Sequence, residues 1–180
     1  MDDEGGFVEF LAVAWPRLYR LAFMMTGSAA DAEDLTQTAF EKICTRWSRV
    51  RDVDQPVAYA RSVLIHEFVS RRRRRSASEV PREDPPDVGA PSPEGDLVDH
   101  LTLWPLVCAL PARQRATIVL RYYEDLSEAQ TAQALGCSVG AVKAQAHDAR
   151  EALRRGLSAH EVGRHACDAG DPHRKAATEP

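Results

Sequence analysis

The sequence predicts an all-α protein made of two small helical domains joined by a flexible linker. Apolar residues recur at helical spacing on both sides of residues 76–96, and no stretch alternates in the manner of a strand. The intervening residues are rich in proline and acidic side chains, a composition that buries too little apolar surface to become ordered. In a chain of 180 residues this predicts modules at residues 1–75 and 97–157, with a disordered tail at 158–180.

Three helices are predicted in the first module. The first begins near Val8, and the second follows Thr26-Gly27, with Ser28 as its N-cap. The third begins at Pro56, a favourable first-turn residue, and the polar residues 48–55 before it are predicted to form a loop. The aromatic side chains on these helical stripes are predicted to be core residues rather than base-stacking groups: Trp15, Tyr19, Phe40 and Trp47.

Charge is distributed unevenly around the end of the first module. Residues 61–75 hold six arginines and one glutamate, whereas residues 76–100 hold seven acidic residues and one arginine. The five consecutive arginines Arg71–Arg75, called the arginine block below, are by themselves typical of a solvated helix end. Next to a helix that could lie on DNA, the interpretation we favour is that they anchor phosphates.

The second module is predicted to contain a helix-turn-helix. Ser127 and Gln130 form a capping box, Gly136 suits the left-handed end of a short helix, and Ser138 caps a longer helix. Such a pair presents its second helix to the DNA major groove, although an ordinary helical hairpin with a solvated charged face shares the pattern. The inward stripe of the second helix is predicted to be Val139, Val142, Ala146, Ala149 and Leu153. Its outward face would carry Lys143, Gln145, His147, Asp148 and Arg150.

The order of these features resembles a known family. Asp31–Phe40 resembles the polymerase-binding helix of sigma factors, and Pro56–Tyr59 with the arginine block resembles the promoter-melting region that follows it. Leu110–Arg115, Leu120–Glu128 and Ala134–Lys143 resemble the domain that reads the upstream promoter element. The chain is therefore identified as similar to the extracytoplasmic-function (ECF) sigma factors of the sigma-70 family, closest to an actinobacterial SigE-like group.

The resemblance implies a transcription initiation factor that brings core RNA polymerase to promoter DNA and melts that DNA locally. Members of this family are often held inactive by an anti-sigma factor, which the resemblance offers as a further partner. Residues 48–55 would then cradle an unstacked base of the downstream promoter element. The residues implied to face polymerase are Asp31, Asp34, Gln37 and Glu41. Those implied to bind DNA are Arg61, His66, Arg71, Arg72, Arg73, Arg74 and Arg75, and in the second module Ser138, Gly140, Lys143, Gln145, His147 and Arg150. Asp148 stands where the family often has Arg and would repel a phosphate that it faced.

Other function classes find less support in the sequence. There are no paired carboxylates, nucleophile elbow or glycine-rich phosphate loop, so we expect no enzyme, no cofactor and no small-molecule substrate. There is no apolar run long enough for a membrane span and no signal peptide, which predicts a cytoplasmic protein. A stand-alone helix-turn-helix regulator is the alternative, and an RNA-binding adaptor is a weaker one.

The cysteines and the tail complete the sequence-based expectations. Cys44, Cys108 and Cys137 are predicted to be small buried side chains, and Trp104 is predicted to pack the second module. The tail holds ligand types for zinc, although their spacing matches no standard site and we expect no metal there: His160, His165, Cys167 and His173.

Overall fold

A computed structural model describes residues 3–77 and 97–168, with side chains described within residues 5–74 and 103–159. In these ranges every regular element is a helix, which confirms the predicted all-α class. The first module contains α1 (Asp3–Thr26), α2 (Ala29–Cys44), α3 (Trp47–Val50) and α4 (Pro56–Ala77). The second module contains α5 (Leu97–Ala109), α6 (Ala112–Ile118), a π turn (Val119–Tyr123), α7 (Glu128–Leu135) and α8 (Val139–Asp168).

The predicted helix caps are confirmed. The Ser28 hydroxyl accepts a hydrogen bond from the Asp31 amide at 3.3 Å, which satisfies one free N–H at the start of α2. Ser127 and Gln130 form the reciprocal capping box of α7. Gly136 ends that helix at φ 62° and ψ 43°, a left-handed conformation that glycine adopts without a Cβ penalty. Ser138 then caps α8 through the Ala141 amide at 3.1 Å.

Two predicted boundaries were wrong. The segment 48–55 is not all loop, because α3 takes its first residues and buries Val50, so that the exposed loop is residues 51–55. The helix α8 continues to Asp168, where disorder was predicted from residue 158, since extending an existing helix avoids a second nucleation. The remainder of that tail and linker residues 78–96 lie outside the described residues.

The two modules share one hydrophobic core, which was not predicted. The buried side chains of α1, α2 and α4 form a cluster that continues into Ala116, Val119 and Leu120 of the second module. Trp104 was predicted to pack its own module, but it stacks on Phe23 of α1 with ring centroids 5.2 Å apart. At this boundary, apolar side chains of each module are thus covered by the other.

Individual burial predictions are partly confirmed. Phe40 and Trp47 are buried, and Trp15 and Tyr19 pack against the core. Cys108 is buried, and burial raises the pKa of its thiol because the thiolate would lose water. The predictions for two other cysteines were wrong or incomplete, since Cys44 is exposed and Cys137 is half-buried. Val139 was also placed wrongly on the inward stripe, because it starts α8 before the helix packs and is 40% exposed.

Candidate nucleic-acid interface

One face of α2 is polar and open to solvent. Asp34, Gln37 and Glu41 are exposed and Asp31 is half-buried, so the structure brings together the four residues implied to face polymerase. The Gln37 amide donates to the Glu41 carboxylate at 3.1 Å along the helix. The opposite face of α2 enters the core through Ala32, Leu35, Ala39, Phe40 and Ile43. This burial fixes which side of α2 a partner would meet.

A buried carboxylate joins α2 to α4, and the sequence analysis missed it. Glu67 is only 4% exposed and pairs with Lys42 of α2 and with Arg74, whose Nη2 lies 2.8 Å from Glu67 Oε1. Arg71 Nε lies 3.6 Å from the same oxygen. The hydrogen bond from Lys42 holds the pKa of Glu67 below its ordinary range, with Arg74 adding to the effect. The signal in the sequence was an acidic residue one helical turn before the arginine block.

The members of the arginine block have different surroundings. Arg71 Nη2 donates to the Asp34 carbonyl at 2.9 Å and to Thr38 Oγ1 at 2.7 Å, which commits it to the contact with α2. Burial lowers the pKa of Arg72, and the nearby charges of Arg113 and Arg115 in the second module lower it further. Arg73 is exposed and reaches the end of α7, where its Nη2 lies 2.7 Å from the position of a Cβ added at Gly136. The side chain of Arg75 lies outside the described residues.

A cavity of about 460 Å³ opens beside the loop 51–55. Its lining includes Gln55, Arg17 and Arg61 from the first module and Glu124 from the second. Arg61 Nη1 lies 2.7 Å from Glu124 Oε2, and these side chains are 34% and 15% exposed. The predicted phosphate ligand Arg61 therefore already holds an anionic group. His66 lies further along α4 and is exposed.

The helix-turn-helix presents most of its predicted DNA-binding residues to solvent. The α8 cap Ser138 is exposed, and so are Gly140, Lys143, His147 and Arg150 on α8, together with Asp148. The outward placement of Gln145 was wrong: this residue is half-buried and its amide oxygen accepts from Thr117 Oγ1 of α6 at 2.7 Å. The half-turn offset of Gln145 from the exposed residues explains the difference, since it lies at the edge of the stripe that packs on α6.

Comparisons with known proteins follow the same division into modules. The family model "Sigma-70 region 2" matches residues 15–78, and "Sigma-70, region 4" matches residues 101–153. The RNA polymerase sigma-E factor of Streptomyces avermitilis is 33% identical over 171 residues, which cover 95% of this chain and 96% of that protein. The ECF RNA polymerase sigma factor SigL of Mycobacterium tuberculosis is 32% identical over 160 residues, covering 86% and 87% respectively. The chain belongs to the ECF sigma factors of the sigma-70 family.

A solved sigma factor has a similar fold. The sigma factor RpoE from Bartonella quintana, determined in complex with the anti-sigma factor NepR, is 25% identical and superposes with a TM-score of 0.61. The match covers 85% of this chain and 97% of that one. Membership in the family makes this protein a promoter-directing transcription initiation factor, as the sequence motifs predicted. Region 2 falls on the module that carries the α2 face and the cavity, and region 4 on the helix-turn-helix.

In this sigma factor a buried arginine ties the two modules together. Arg115 of α6 donates through Nε to the Met25 carbonyl at 3.1 Å and through Nη2 to the Thr26 carbonyl, at the end of α1. Its Nη1 donates to the Cys108 carbonyl at 2.8 Å, within its own module. Burial lowers the pKa of Arg115, since little water remains to solvate the cation. The guanidinium thus satisfies carbonyls that the last turn of α1 leaves free.

Gly27 leaves the space that the side chain of Arg115 occupies. The backbone there has φ +74°, and a Cβ would lie 3.0 Å from the Arg115 Cζ. Both the left-handed conformation and the close approach favour glycine. Sequence reasoning assigned Thr26-Gly27 only to a turn, and no local pattern indicates a contact with a residue so far along the chain.

Among residues 3–77 and 97–168, no helix is both long and apolar enough to cross a membrane. No cluster of three or more metal-ligating side chains occurs where side chains are described. The tail residues considered for zinc have side chains outside that range: His160, His165, Cys167 and His173.

Proposed function

We propose that this sigma factor docks on core RNA polymerase through the exposed α2 face formed by Asp34, Gln37 and Glu41, with Asp31 at its edge. The observation that carries the proposal is the division of α2 into a buried apolar face and an open acidic face. Arg71 of α4 holds α2 in position by donating hydrogen bonds to the Asp34 carbonyl and to Thr38. An acidic surface held on a rigid helix suits a basic protein partner, because complementary charge speeds and orients docking.

The second module binds the upstream promoter element through the exposed start of α8. At this N-terminus Ser138 caps the Ala141 amide and Gly140 carries no side chain, so the positive end of the helix dipole is accessible and suits a phosphate. Lys143 and Arg150 contact further phosphates, and His147 lies on the same exposed face. Gln145 serves the packing of α8 on α6 through Thr117, so its contribution to DNA binding is indirect.

The first module binds and melts the downstream element. The loop 51–55 and the adjoining cavity receive an unstacked base, while Arg17 and Arg61 meet the phosphates beside it. Capturing the base offsets part of an unstacking cost of about a few kcal/mol. Arg72, Arg73, Arg74 and His66 extend the phosphate-binding surface along α4. The DNA-binding role implied for Arg75 stays a prediction.

The proposed activity consists of binding and requires no catalytic step by this protein. We infer a non-catalytic factor without cofactor or small-molecule substrate, working in the cytoplasm where polymerase and promoter DNA meet. The solved relative RpoE is bound by an anti-sigma factor, and we propose a partner of that kind for this chain as well.

A pull-down with bacterial core RNA polymerase tests the docking face. The native chain is expected to bind, and an Asp34→Arg/Gln37→Ala variant is expected to lose binding, because the change reverses the charge at the centre of the face. Glu9→Arg is the matched control, since Glu9 is an exposed carboxylate on α1 and does not belong to the face. Equal loss in the control would show a general charge effect, and a folded native chain that fails to bind would favour a stand-alone regulator that dimerises on a palindrome.

A further inference from the structure

We propose that Asp148 reads a base of the upstream promoter element and selects a cytosine in the strand that it faces. This role rests on the proposed function, because it takes α8 as the helix that enters the major groove. It gives a part in sequence recognition to a carboxylate on a surface that otherwise attracts phosphates. A residue with this role decides which promoters the sigma factor brings polymerase to.

The buried stripe of α8 fixes which side of the helix DNA would meet. Val142 and Ala149 are fully buried, and Ala146 is only 9% exposed. With about 3.6 residues per turn, the direction opposite this stripe passes through Gly140 and Ala144. Both of these residues are exposed, and neither has a side chain longer than a methyl group. The backbone of α8 can therefore come close to the floor of a groove on this side.

The polar side chains of α8 are arranged in two ways around that direction. His147 and Asp148 flank it on either side, whereas Lys143 and Arg150 lie about a quarter of a turn away from it. All four residues are exposed. In a major groove the phosphates form the walls and the base edges form the floor. The two cations at the edge of the exposed face are thus placed for phosphates, and the two flanking side chains are placed for bases.

The carboxylate of Asp148 is available for such a contact. Among the residues whose side chains are described, Asp148 forms neither a hydrogen bond nor an ion pair. By contrast, Glu151 on the same helix is paired with Arg154, whose Nη1 lies 2.6 Å from Glu151 Oε1. Asp148 and His147 also line an open recess of about 560 Å³ between the start of α6 and α8. No described side chain therefore neutralises or covers the Asp148 carboxylate.

The hydrogen-bonding chemistry of a carboxylate favours cytosine. An ionised carboxylate only accepts hydrogen bonds, and the donors in the major groove are the amino groups at cytosine N4 and adenine N6. The adenine amino group stands between two acceptors, adenine N7 and thymine O4, which repel an anion. The cytosine amino group has an acceptor on one side only, the O6 of its paired guanine. Asp148 is therefore attracted most by cytosine.

The negative charge of Asp148 also works against the wrong bases. Guanine or thymine at this position would place an acceptor against the carboxylate and leave the carboxylate without a donor. Such a repulsive contact adds to the specificity that the correct contact provides. Repulsion by the phosphates is weaker here than at the edge of the face, because Coulomb energy falls with distance and the phosphates lie in the groove walls.

Selection of promoter duplexes from a library with randomised upstream and downstream elements tests the role of Asp148. The selecting protein is the holoenzyme formed from bacterial core RNA polymerase and the full-length chain. The native chain is expected to enrich a C·G pair at one position of the upstream element. Asp148→Arg should reverse that pair to G·C at the same position alone, because a guanidinium donates to guanine O6 and N7. Asp148→Ala should lose the preference there. In direct binding, the change from C·G to G·C should weaken the native holoenzyme about tenfold and strengthen binding by Asp148→Arg.

Glu151→Arg is the matched control, since it makes the same change of charge three residues further along α8. It is expected to leave every base preference as in the native chain, and a reversal equal to that of Asp148→Arg would overturn the assignment to Asp148. An upstream element that is the same for native, Asp148→Arg and Asp148→Ala would overturn it too, while leaving the proposed function intact. Tighter binding of Asp148→Ala to all sequences alike would show that Asp148 only repels phosphates.

Two other results separate the choice of base from the proposed function. A preference for another base that disappears in Asp148→Ala would overturn the selection of cytosine. A native holoenzyme that forms in the pull-down but enriches no upstream element would overturn the role proposed for the second module, and with it the role of Asp148.

Discussion

Replacing Glu67 by glutamine should destabilise the protein by separating α4 from α2. The substitution keeps the shape of the side chain but removes the charge that Lys42, Arg71 and Arg74 share. A hydrogen bond to a charged group contributes about 1.5–3 kcal/mol, and breaking a fully buried ion pair costs about 3–5 kcal/mol. The side chains of Lys42 and Arg74 are 54% and 68% exposed and regain water, so the lower part of these ranges applies.

We therefore expect Glu67→Gln to lower the free energy of unfolding by about 2 kcal/mol, which corresponds to a melting temperature lower by about 4–8 °C for a chain of this size. Urea titration followed by far-UV circular dichroism measures the change. Glu33→Gln is the control, because Glu33 is exposed on α2 and should change stability by less than about 0.5 kcal/mol. A Glu67→Gln midpoint equal to that of the native chain would refute the role given to this carboxylate.

The difference in unfolding free energy between the native chain and Glu67→Gln should depend on pH. The folded protein holds the pKa of Glu67 below its ordinary value of 4.5, first through the hydrogen bond from Lys42. Stability gained in this way is fully present above the unfolded pKa and is lost as pH falls through the lowered folded pKa. The difference between native and Glu67→Gln should therefore be constant near neutral pH and shrink in acid. A difference that grows on acidification would contradict the assignment.

Three more outcomes are expected. Lys143→Ala and Arg150→Ala should each reduce the salt dependence of promoter binding by about one unit in a log–log plot, and unchanged slopes would remove these residues from the interface. Gly136→Ala should cost about 1–2 kcal/mol in thermal unfolding, because φ +62° is unfavourable for a residue with a Cβ. Cys44 should react with maleimide well before Cys108 in the folded protein, since the buried thiol has a raised pKa, and mass spectrometry of the modified peptides tests this order.

Much of the local structure was predictable because it is encoded by neighbouring residues. The caps at Ser28, Ser127 and Ser138 and the left-handed end at Gly136 all lie where the sequence predicted them. A cap joins residues two or three positions apart, so the pattern and the contact occupy the same short window. The errors at α3 and beyond residue 157 arose where no cap or breaker marks the change.

The surroundings of the candidate site residues were predictable on α2 and α8 but not in the arginine block. The exposed faces of α2 and α8 follow from helical periodicity, which indicates the side of a helix that is buried. The arginine block gave no such indication, because consecutive residues point in different directions around a helix. Its members therefore meet separate partners, with Arg71 on α2 and Arg73 beside Gly136.

By itself, the sequence determined most of the helices, their order and the family, since periodicity, capping and motif order are all read along the chain. Only the tertiary structure decided that the two modules share a core and that Arg61 is held by Glu124. Arg115 donates to the carbonyl of Met25, 90 residues away in the chain, and Glu67 forms an ion pair with Lys42 of another helix. Contacts of this length depend on how whole helices pack, and the free energy that selects one packing is shared among many side chains.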